Sequence, residues 1–291
     1  LEEGVVKDGD TYVCKGFETV ADYKLKCHVF STIGSHGSLT VEQALMNSCN
    51  PYMIHLALEM GNSRFAYYQS LFGFGKITGI DLPGETTGIV YGDRMTTIDA
   101  ACNSFGQTIN VNMMQMMAAY CSIINGGILS QPHIVKRIES ANGEVVKEYK
   151  ANLVRQTITA STSKLLRRYL KNTVEEGTAK KAGVTGYSVA GKTGTAQKGD
   201  RKDNKWIISF IGHAPAENPK FAIYVVIDEP YGTTGTSGSS ADVLTLTHNI
   251  LEKLLPYMNV YKDASDEYED TSSSPDELTV DGIPAGTASS N

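Results

Sequence analysis

A short run of residues, Lys192-Thr193-Gly194-Thr195, combines a cation, two hydroxyl groups and a glycine within a segment whose pattern predicts a β-strand. A glycine inside a strand usually marks a place where another molecule approaches the backbone closely. A substrate can therefore lie along this strand and pair with its N–H and C=O groups. The hydroxyl groups of Thr193 and Thr195 suit a carboxylate, and Lys192 adds a positive field. Taken alone, the run also fits a glycine bulge between exposed polar residues.

A second polar group, Ser48-Cys49-Asn50, interrupts a helical pattern over residues 40–60, directly before Pro51. A serine and an asparagine two residues apart can face one cleft, although a plain helix break and cap is the simpler alternative. The same spacing occurs at Ser140-Ala141-Asn142, where the following Gly143 predicts the turn of a two-stranded ribbon. A turn role is sufficient there, so Ser48 and Asn50 are the preferred site residues.

Two cysteines near the start of the chain, Cys14 and Cys27, have nitrogen and oxygen donors nearby in the sequence. The five cysteines are too few and too irregular for a disulfide scaffold. Three alternatives remain: a Cys14–Cys27 disulfide, a tetrahedral zinc site that adds His36 and Asp22, or two unrelated thiols. Few large apolar side chains surround them, and metal ligation can supply the missing folding free energy. We expect close to one structural zinc ion, with His36 as third ligand and Asp22 or His28 as fourth.

Composition and charge argue against two classes of function, nucleic-acid binding and insertion in a membrane. The chain has 291 residues, a net charge of −6 and 41% hydrophobic residues, which is ordinary for a folded globular protein. From residue 262 onward one lysine stands against eight acidic residues, so the preceding 261 residues carry a net charge of only +1. No apolar run approaches the roughly 18 residues that cross a bilayer. A nucleic-acid partner and a membrane-embedded protein are both disfavoured.

The elements that must position these residues alternate between helices and strands without a repeat. They predict an α+β fold, with helices packed on an antiparallel sheet, in one domain over residues 1–258. An acidic segment with few apolar residues, 259–291, is expected to be disordered. The main predicted helices are 40–60 (broken near 48–51), 63–72, 96–103, 112–124, one that opens at 159–163, and 241–257. The predicted strands are a ribbon within 133–150, then 187–198, 206–213 and 220–228.

The motifs and their order resemble those of the penicillin-binding proteins, in particular the class B transpeptidases. The resemblance covers about residues 1–257 and implies the fold shared by penicillin-binding proteins and serine β-lactamases. Besides the two motifs above, it rests on Phe105-Gly106-Gln107, Gln115, Asn125-Gly126-Gly127 followed by Pro132, Glu176-Gly177-Thr178-Ala179, and Ile211-Gly212-His213-Ala214-Pro215. Some members of this family carry zinc beside the active site, which agrees with the zinc alternative.

This resemblance implies a D,D-transpeptidase that cross-links peptidoglycan by serine acyl transfer on D-Ala-D-Ala stem peptides and is acylated by β-lactams. It implies that Ser48 relays protons and that Asn50 holds the substrate amide. Lys192 and the hydroxyls of Thr193 and Thr195 would bind the terminal carboxylate beside Gly194, and the Thr195 N–H would supply half an oxyanion hole. No cofactor is required for this chemistry.

The nucleophile is where the sequence departs from the family, which needs S-x-x-K ahead of both other motifs. The literal match, Ser161-Thr162-Ser163-Lys164, lies between them, and Ser161 fits a helix N-cap instead. Residues 1–4 read as the last turn of a helix closed by Gly4. We therefore expect a C-terminal fragment whose serine lies upstream of Leu1. A transmembrane helix further upstream would anchor it on the extracytoplasmic face of the cell membrane.

Two other functions stay open. One is a β-lactam sensor or β-lactamase, and the other is a zinc-stabilised wall-binding module without catalysis. An S-x-x-K shortly before Leu1 would favour an enzyme, and its absence would favour the module. The expected partners are peptidoglycan stem peptides, β-lactam antibiotics and a glycosyltransferase of the wall synthesis machinery.

Overall fold

The computed structural model of the chain describes residues 1–199, 205–230 and 239–264. These residues form an α+β fold in which all strand pairs are antiparallel. The α-helices are α1 Val41–Met46, α2 Asn50–Met60, α3 Asn62–Leu71, α4 Thr97–Ser104, α5 Met113–Ile124, α6 Ala160–Glu175 and α7 Ala241–Tyr257. The strands are β1 Thr11–Cys14, β2 Phe17–Val20, β3 Tyr23–Lys26, β4 Gly37–Thr40, β5 Ile128–Gln131, β6 Arg137–Glu139, β7 Val145–Glu148, β8 Asn152–Gln156, β9 Ala190–Lys198, β10 Lys205–Ala214 and β11 Phe221–Asp228.

The largest sheet is three-stranded, with the order β11-β10-β9, so that β9 is an edge strand. Helix α6 packs against β9, and α7 packs against β10 and β11. Ile208 and Phe210 of β10 are fully buried with Leu251 and Leu255 of α7 in one hydrophobic core. Burial of large side chains on both elements fixes the sheet against α7.

A second core lies at the other side of α6, where α1 packs on it. Here the strands pair only two by two, β1 with β4 and β2 with β3, and each has four residues. The buried side chains include Cys14, Cys27 and Cys49 together with Tyr52 and Tyr169. Sulfur atoms therefore occupy the interior positions that larger apolar side chains fill around the main sheet.

The predicted helices and the predicted hairpin are present in the structure with small changes at their ends. The long helical pattern splits into α1 and α2, and Gly61 ends α2 with a φ of +80°. The strand predicted from residue 187 begins at Ala190. Residues 1–4 form a turn in which the Gly4 N–H donates to the Leu1 carbonyl, and the described part of the chain has no helix there.

The ribbon turn is also confirmed, because Ser140 Oγ donates to the Glu144 carbonyl (3.2 Å) at the turn that joins β6 and β7. Most of the predicted tail, residues 265–291, and most of the Gly/Ser/Thr-rich loop at 231–240 lie outside the described residues. Among the described helices, none combines the length and apolar character needed to span a membrane.

Candidate active site and cysteine cluster

A cleft of about 1190 Å³ separates β9 from the junction of α1 and α2 and from β3. The residues predicted for catalysis and for substrate binding all line it: Ser48, Asn50, Lys192, Thr193, Gly194 and Thr195. The structure therefore brings together two sequence motifs that are far apart along the chain.

The KTGT run lies in β9, whose inner edge pairs with β10 and whose outer edge pairs with no other described strand. Close packing explains Gly191, the residue before the run: a Cβ there would lie 2.4 Å from the Phe210 ring. A Cβ on Gly194 would lie 2.6 Å from Ser209 Oγ. These glycines make room for the Phe210 and Ser209 side chains beside β9. The outer edge of β9, which pairs with no other described strand, is available for an extended ligand.

Lys192 links the two sides of the cleft. Its Nζ donates to Ser48 Oγ and also lies 3.2 Å from the Thr193 carbonyl and 3.3 Å from Thr193 Oγ1. Burial lowers the pKa of Lys192 to about 8, because desolvation disfavours the charged amine. A lysine with this pKa beside a serine hydroxyl can hold a carboxylate when protonated and accept a proton near neutral pH.

Thr178 extends this contact into a chain of hydroxyl groups. Its Oγ1 lies 3.5 Å from Ser48 Oγ and 3.4 Å from Thr193 Oγ1. The close approach depends on Gly177, since a Cβ there would lie 2.8 Å from the Met46 carbonyl oxygen. In the sequence, Thr178 stands out only as part of the stretch Glu176-Gly177-Thr178-Ala179, and no local pattern predicts this contact.

The S-x-N junction is held by an unusual backbone. Ser48 has a φ of +52°, a left-handed conformation that is uncommon for a residue other than glycine and is found often at functional sites. It turns the chain sharply from α1 into α2. The Asn50 side chain donates from Nδ2 to the Lys26 carbonyl (3.3 Å), so the junction is also tied to β3.

Directly behind this junction lies a cluster formed by Cys14, Cys27, His36 and Cys49. One donor atom from each residue lies within 4.8 Å of all the others, and the three cysteines are buried. His36 Nδ1 is 3.5 Å from Cys27 Sγ and 3.9 Å from Cys14 Sγ. The donors come from the end of β1, the residue after β3, the residue before β4 and the α1–α2 junction.

The cluster corrects one residue of the predicted ligand set. Asp22 lies in the turn between β2 and β3 and is exposed, and it does not reach the other donors. Its place is taken by Cys49, the middle residue of S-x-N. Cys49 has no predicted ligand role because S-x-N reads as a catalytic motif, although three cysteines and two histidines within residues 14–49 were a signal for it.

The chemistry of these donors fits a zinc ion. Three sulfur atoms and an imidazole nitrogen are a common tetrahedral set, and at a zinc–sulfur distance of about 2.3 Å such donors lie about 3.8 Å apart. All five cysteines are free, so the structure contains no Cys14–Cys27 disulfide. The Cys27 and Cys49 thiols are in hydrogen-bonding contact, which lowers the pKa of Cys27 and raises that of Cys49, so Cys27 is the thiol of this pair that becomes a thiolate first.

Ser161 lies away from the cleft, exposed in the first turn of α6. Its Oγ contacts Thr159 Oγ1 at 3.0 Å. The predicted N-cap role for Ser161 is wrong, because the cap is Thr159, whose side chain accepts from the Thr162 N–H. Lys164 is exposed as well. Residues 161–164, the literal S-x-x-K match, therefore form part of the first turn of α6 and do not line the cleft.

An edge strand carrying KTG, facing an S-x-N helix junction across one cleft, is the arrangement typical of penicillin-binding proteins and serine β-lactamases. A model of the penicillin binding protein transpeptidase domain matches residues 1–252 of the chain. The chain therefore belongs to the penicillin-binding protein transpeptidase family.

Individual relatives agree with this assignment. The chain is 38% identical to stage V sporulation protein D of Bacillus subtilis over 264 residues, which cover 89% of this chain and 40% of that protein. It is 31% identical to peptidoglycan D,D-transpeptidase FtsI of Escherichia coli, over 91% of this chain and 42% of that protein. It thus spans about two fifths of the length of these relatives.

Solved structures give the same result for the fold. Penicillin-binding protein 3 of Mycobacterium tuberculosis, complexed with ampicillin, has a TM-score of 0.80 and 28% sequence identity. That likeness covers 91% of this chain and 61% of the other. The predicted family and fold class are both confirmed.

Proposed function

We propose that this chain supplies the substrate-binding and proton-transfer side of a peptidoglycan D,D-transpeptidase. The observation that carries the proposal is the contact of Lys192 Nζ with Ser48 Oγ. It joins, in one cleft, the two motifs by which the family handles a D-Ala-D-Ala peptide. The relatives named as transpeptidases, and the neighbour bound to ampicillin, support the same activity.

The residues have distinct roles in the proposed reaction. The peptide lies along the outer edge of β9 beside Gly194, and Lys192 with the Thr193 and Thr195 hydroxyls holds its terminal carboxylate. The Thr195 N–H donates to the oxyanion that forms as a serine attacks the penultimate carbonyl. Ser48 passes a proton toward the leaving D-alanine, and a neighbouring stem-peptide amine then resolves the acyl-enzyme into a cross-link.

Asn50 makes a structural contact in addition to the substrate contact that the resemblance implies. Its side-chain N–H groups are the ones suited to a substrate carbonyl, yet Nδ2 donates to the Lys26 carbonyl in this structure. We propose that Asn50 holds β3 at the rim of the cleft through one Nδ2 N–H and offers the other N–H to the substrate amide carbonyl.

The attacking serine is proposed to belong to an S-x-x-K motif that precedes Ser48 in the full-length protein, since Ser161 is remote from the cleft. We also propose an extracytoplasmic location, with a membrane anchor and a glycosyltransferase partner elsewhere in the wall-synthesis machinery. Residues 1–258 would form the transpeptidase domain, followed by an acidic tail.

The proposal is tested by acylation of the full-length protein. Incubation with benzylpenicillin should add one penicilloyl group by intact-mass analysis, and a pentapeptide ending in D-Ala-D-Ala should release D-alanine. Ser161→Ala should leave both unchanged. A folded full-length protein that neither reacts with penicillin nor releases D-alanine would contradict the enzyme and favour the wall-binding module. Rapid loss of the penicilloyl group would favour a β-lactamase.

A second proposal concerns the cluster behind the junction: Cys14, Cys27, Cys49 and His36 bind one structural zinc ion. The supporting observation is the convergence of four soft donors in a region whose strands are short and pair two by two. Zinc would tie β1, β3, β4 and the α1–α2 junction together, and it would take no part in acyl transfer.

Metal analysis together with thermal unfolding tests the zinc proposal. Protein purified under reducing conditions should carry close to one zinc ion per chain, and a chelator should lower its melting temperature. A disulfide would give the opposite pattern, with no metal and destabilisation by a reductant. Zinc well below one per chain with no effect of chelator would contradict the zinc site.

A further inference from the structure

The part of the cleft wall that follows α4 has an uncommon backbone. Phe105, Gln107 and Thr108 line the cleft, directly after α4 ends at Ser104. Thr108 has a φ of +58°, a left-handed conformation that β-branched residues rarely adopt. Such a conformation costs free energy and persists only where neighbouring groups hold it, often at ligand sites. Neighbouring groups must therefore hold residues 105–108, which we call the wall segment.

A buried pair of amide side chains holds the wall segment. Asn103, in the last turn of α4, is 8% exposed, and its Nδ2 donates to the Gln107 carbonyl (3.0 Å) and to Thr108 Oγ1 (2.9 Å). Gln69 of α3 is 7% exposed and donates from Nε2 to Asn103 Oδ1 at 3.0 Å. A carboxamide has one oxygen acceptor and two N–H donors. Because Gln69 occupies the oxygen of Asn103, both N–H groups of Asn103 are directed to the wall segment.

The wall segment lies on the side of the cleft that receives the acyl part of a ligand. Phe105 and Leu25 of β3 pack against one buried cluster that includes Ile54 of α2. Asn50, at the start of the same helix, is the residue that we propose to contact the substrate amide carbonyl. The chain of a ligand that runs on from this amide, away from the scissile bond, therefore meets the wall segment.

We propose that Asn103 is a positioning residue of the transpeptidase cleft. Its side chain, oriented by Gln69, holds Thr108 in the left-handed conformation and thereby keeps the wall segment in place against the acyl part of the ligand. A preformed wall removes the cost of ordering it on binding, so it favours ligands with a large acyl group over those without one. This inference rests on the proposed transpeptidase function and identifies residues that set its preference on the acyl side.

Two β-lactams that differ only in the acyl group test the inference in the full-length protein. Benzylpenicillin carries a phenylacetyl group, and 6-aminopenicillanic acid has the same ring system and carboxylate with a free amine. The measured quantity is the ratio of their second-order acylation rate constants, benzylpenicillin over 6-aminopenicillanic acid. The variants are Asn103→Ala and Gln69→Met. Asn62→Ala is the matched control, because Asn62 Nδ2 also contacts a backbone carbonyl (Met95) and a threonine hydroxyl (Thr97) but does not line the cleft.

The ratio should fall about tenfold in Asn103→Ala, which loses both contacts, and about threefold in Gln69→Met, which loses only the orienting one. It should not change in Asn62→Ala. Acylation by 6-aminopenicillanic acid should stay within about twofold of the parent rate, because the chemistry at Lys192 and Ser48 is untouched. An unchanged ratio, or an equal fall for both β-lactams, would overturn the role of Asn103 alone. A parent that neither β-lactam acylates would overturn the proposed function and this inference with it.

A rescue experiment tests whether Asn103 acts through Thr108. Glycine adopts a left-handed φ without strain, so Thr108→Gly needs no hydrogen bond to hold that conformation. The ratio in the double variant Asn103→Ala/Thr108→Gly should therefore recover to within about twofold of the parent ratio. A double variant that keeps the tenfold loss would overturn the link between Asn103 and the Thr108 backbone. If Asn103→Ala does not fold, Gln69→Met with and without Thr108→Gly gives the same two tests.

Discussion

The two sides of the cleft are built differently. The side formed by β9 belongs to a sheet whose strands run for nine, ten and eight residues, with a large apolar core beneath it. The opposite side, formed by β3 and the α1–α2 junction, has strands of four residues and a core in which three cysteines are buried. We call these the sheet side and the cysteine side.

The difference teaches that the two halves of one cleft can be held in place by different interactions. On the sheet side, the long pairing of β9 with β10 and the buried apolar core beneath them hold Lys192 and the rest of the KTGT run in place. Ser48 and Asn50, by contrast, flank Cys49, so their position depends on whatever holds the four soft donors together. Loss of metal should therefore disturb the cysteine side and leave the sheet intact, whereas a substitution in β9 should remove chemistry without loosening the fold.

The largest effect is expected for Lys192→Ala on the sheet side. The substitution removes the cation that contacts Ser48 Oγ and that we propose to hold the substrate carboxylate. Loss of one preorganised electrostatic contact commonly lowers a rate about 10²–10³-fold. The check is the benzylpenicillin acylation rate of the full-length protein, with zinc content and melting temperature measured alongside. A rate within twofold of the parent would mean that KTGT is only a structural strand.

The next largest effect is expected for Cys49→Ser on the cysteine side. It removes one of the four proposed zinc donors, next to Ser48, so zinc content should fall well below one per chain and acylation should drop about tenfold or more. The melting temperature should fall by about 5 °C or more. Cys121→Ser, a free cysteine of α5 outside the cluster, and Asp22→Ala should both retain zinc. Retention of a full zinc ion in Cys49→Ser would contradict the four-donor site.

These two sides also differ in how well sequence predicts them. The KTGT strand and its hairpin follow from local patterns, because glycine, apolar alternation and a long register all lie within one stretch of chain. Asp22 is not among the clustered donors, because proximity in sequence does not fix which side chains meet in the fold. Cys49 and Thr178 depend on contacts between distant segments, such as the approach of Gly177 to α1, that no local pattern contains.

A pH profile separates the chemistry of Lys192 from its structural role. With a pKa of about 8, the amine loses its charge as pH rises through 8, so acylation at pH 9 should be about tenfold below its plateau. The free energy of unfolding should not fall over the same pH range. Between pH 8 and 10.5 the unfolded chain binds more protons at Lys192 than the folded chain does, so this group raises stability as pH rises. Lys192→Arg, which keeps its charge, should lack this decline. If Lys192→Arg shows the same decline between pH 8 and 9, the decline arises from the titration of another group.

The smallest effect is expected for Thr178→Val, which keeps the shape of the side chain and removes the hydroxyl between Ser48 and Thr193. Acylation should fall about fivefold, the size expected for one lost hydrogen bond, with melting temperature and zinc content unchanged. Thr245→Val, on α7 and away from the cleft, is the matched control. An unchanged rate would show that the Thr178 hydroxyl, despite its contacts with Ser48 and Thr193, does not contribute to acylation.

The dependence of the cleft on the cluster is measured by zinc removal and return in one sample of full-length protein. The benzylpenicillin acylation rate is recorded with zinc bound, after chelation, and after one equivalent of zinc is restored, with circular dichroism at each stage. We predict that chelation lowers the rate at least about tenfold while most secondary structure persists, and that zinc restores it. A chelated, zinc-free protein that acylates at the original rate would contradict the account, because the S-x-N junction would then hold its place without the metal.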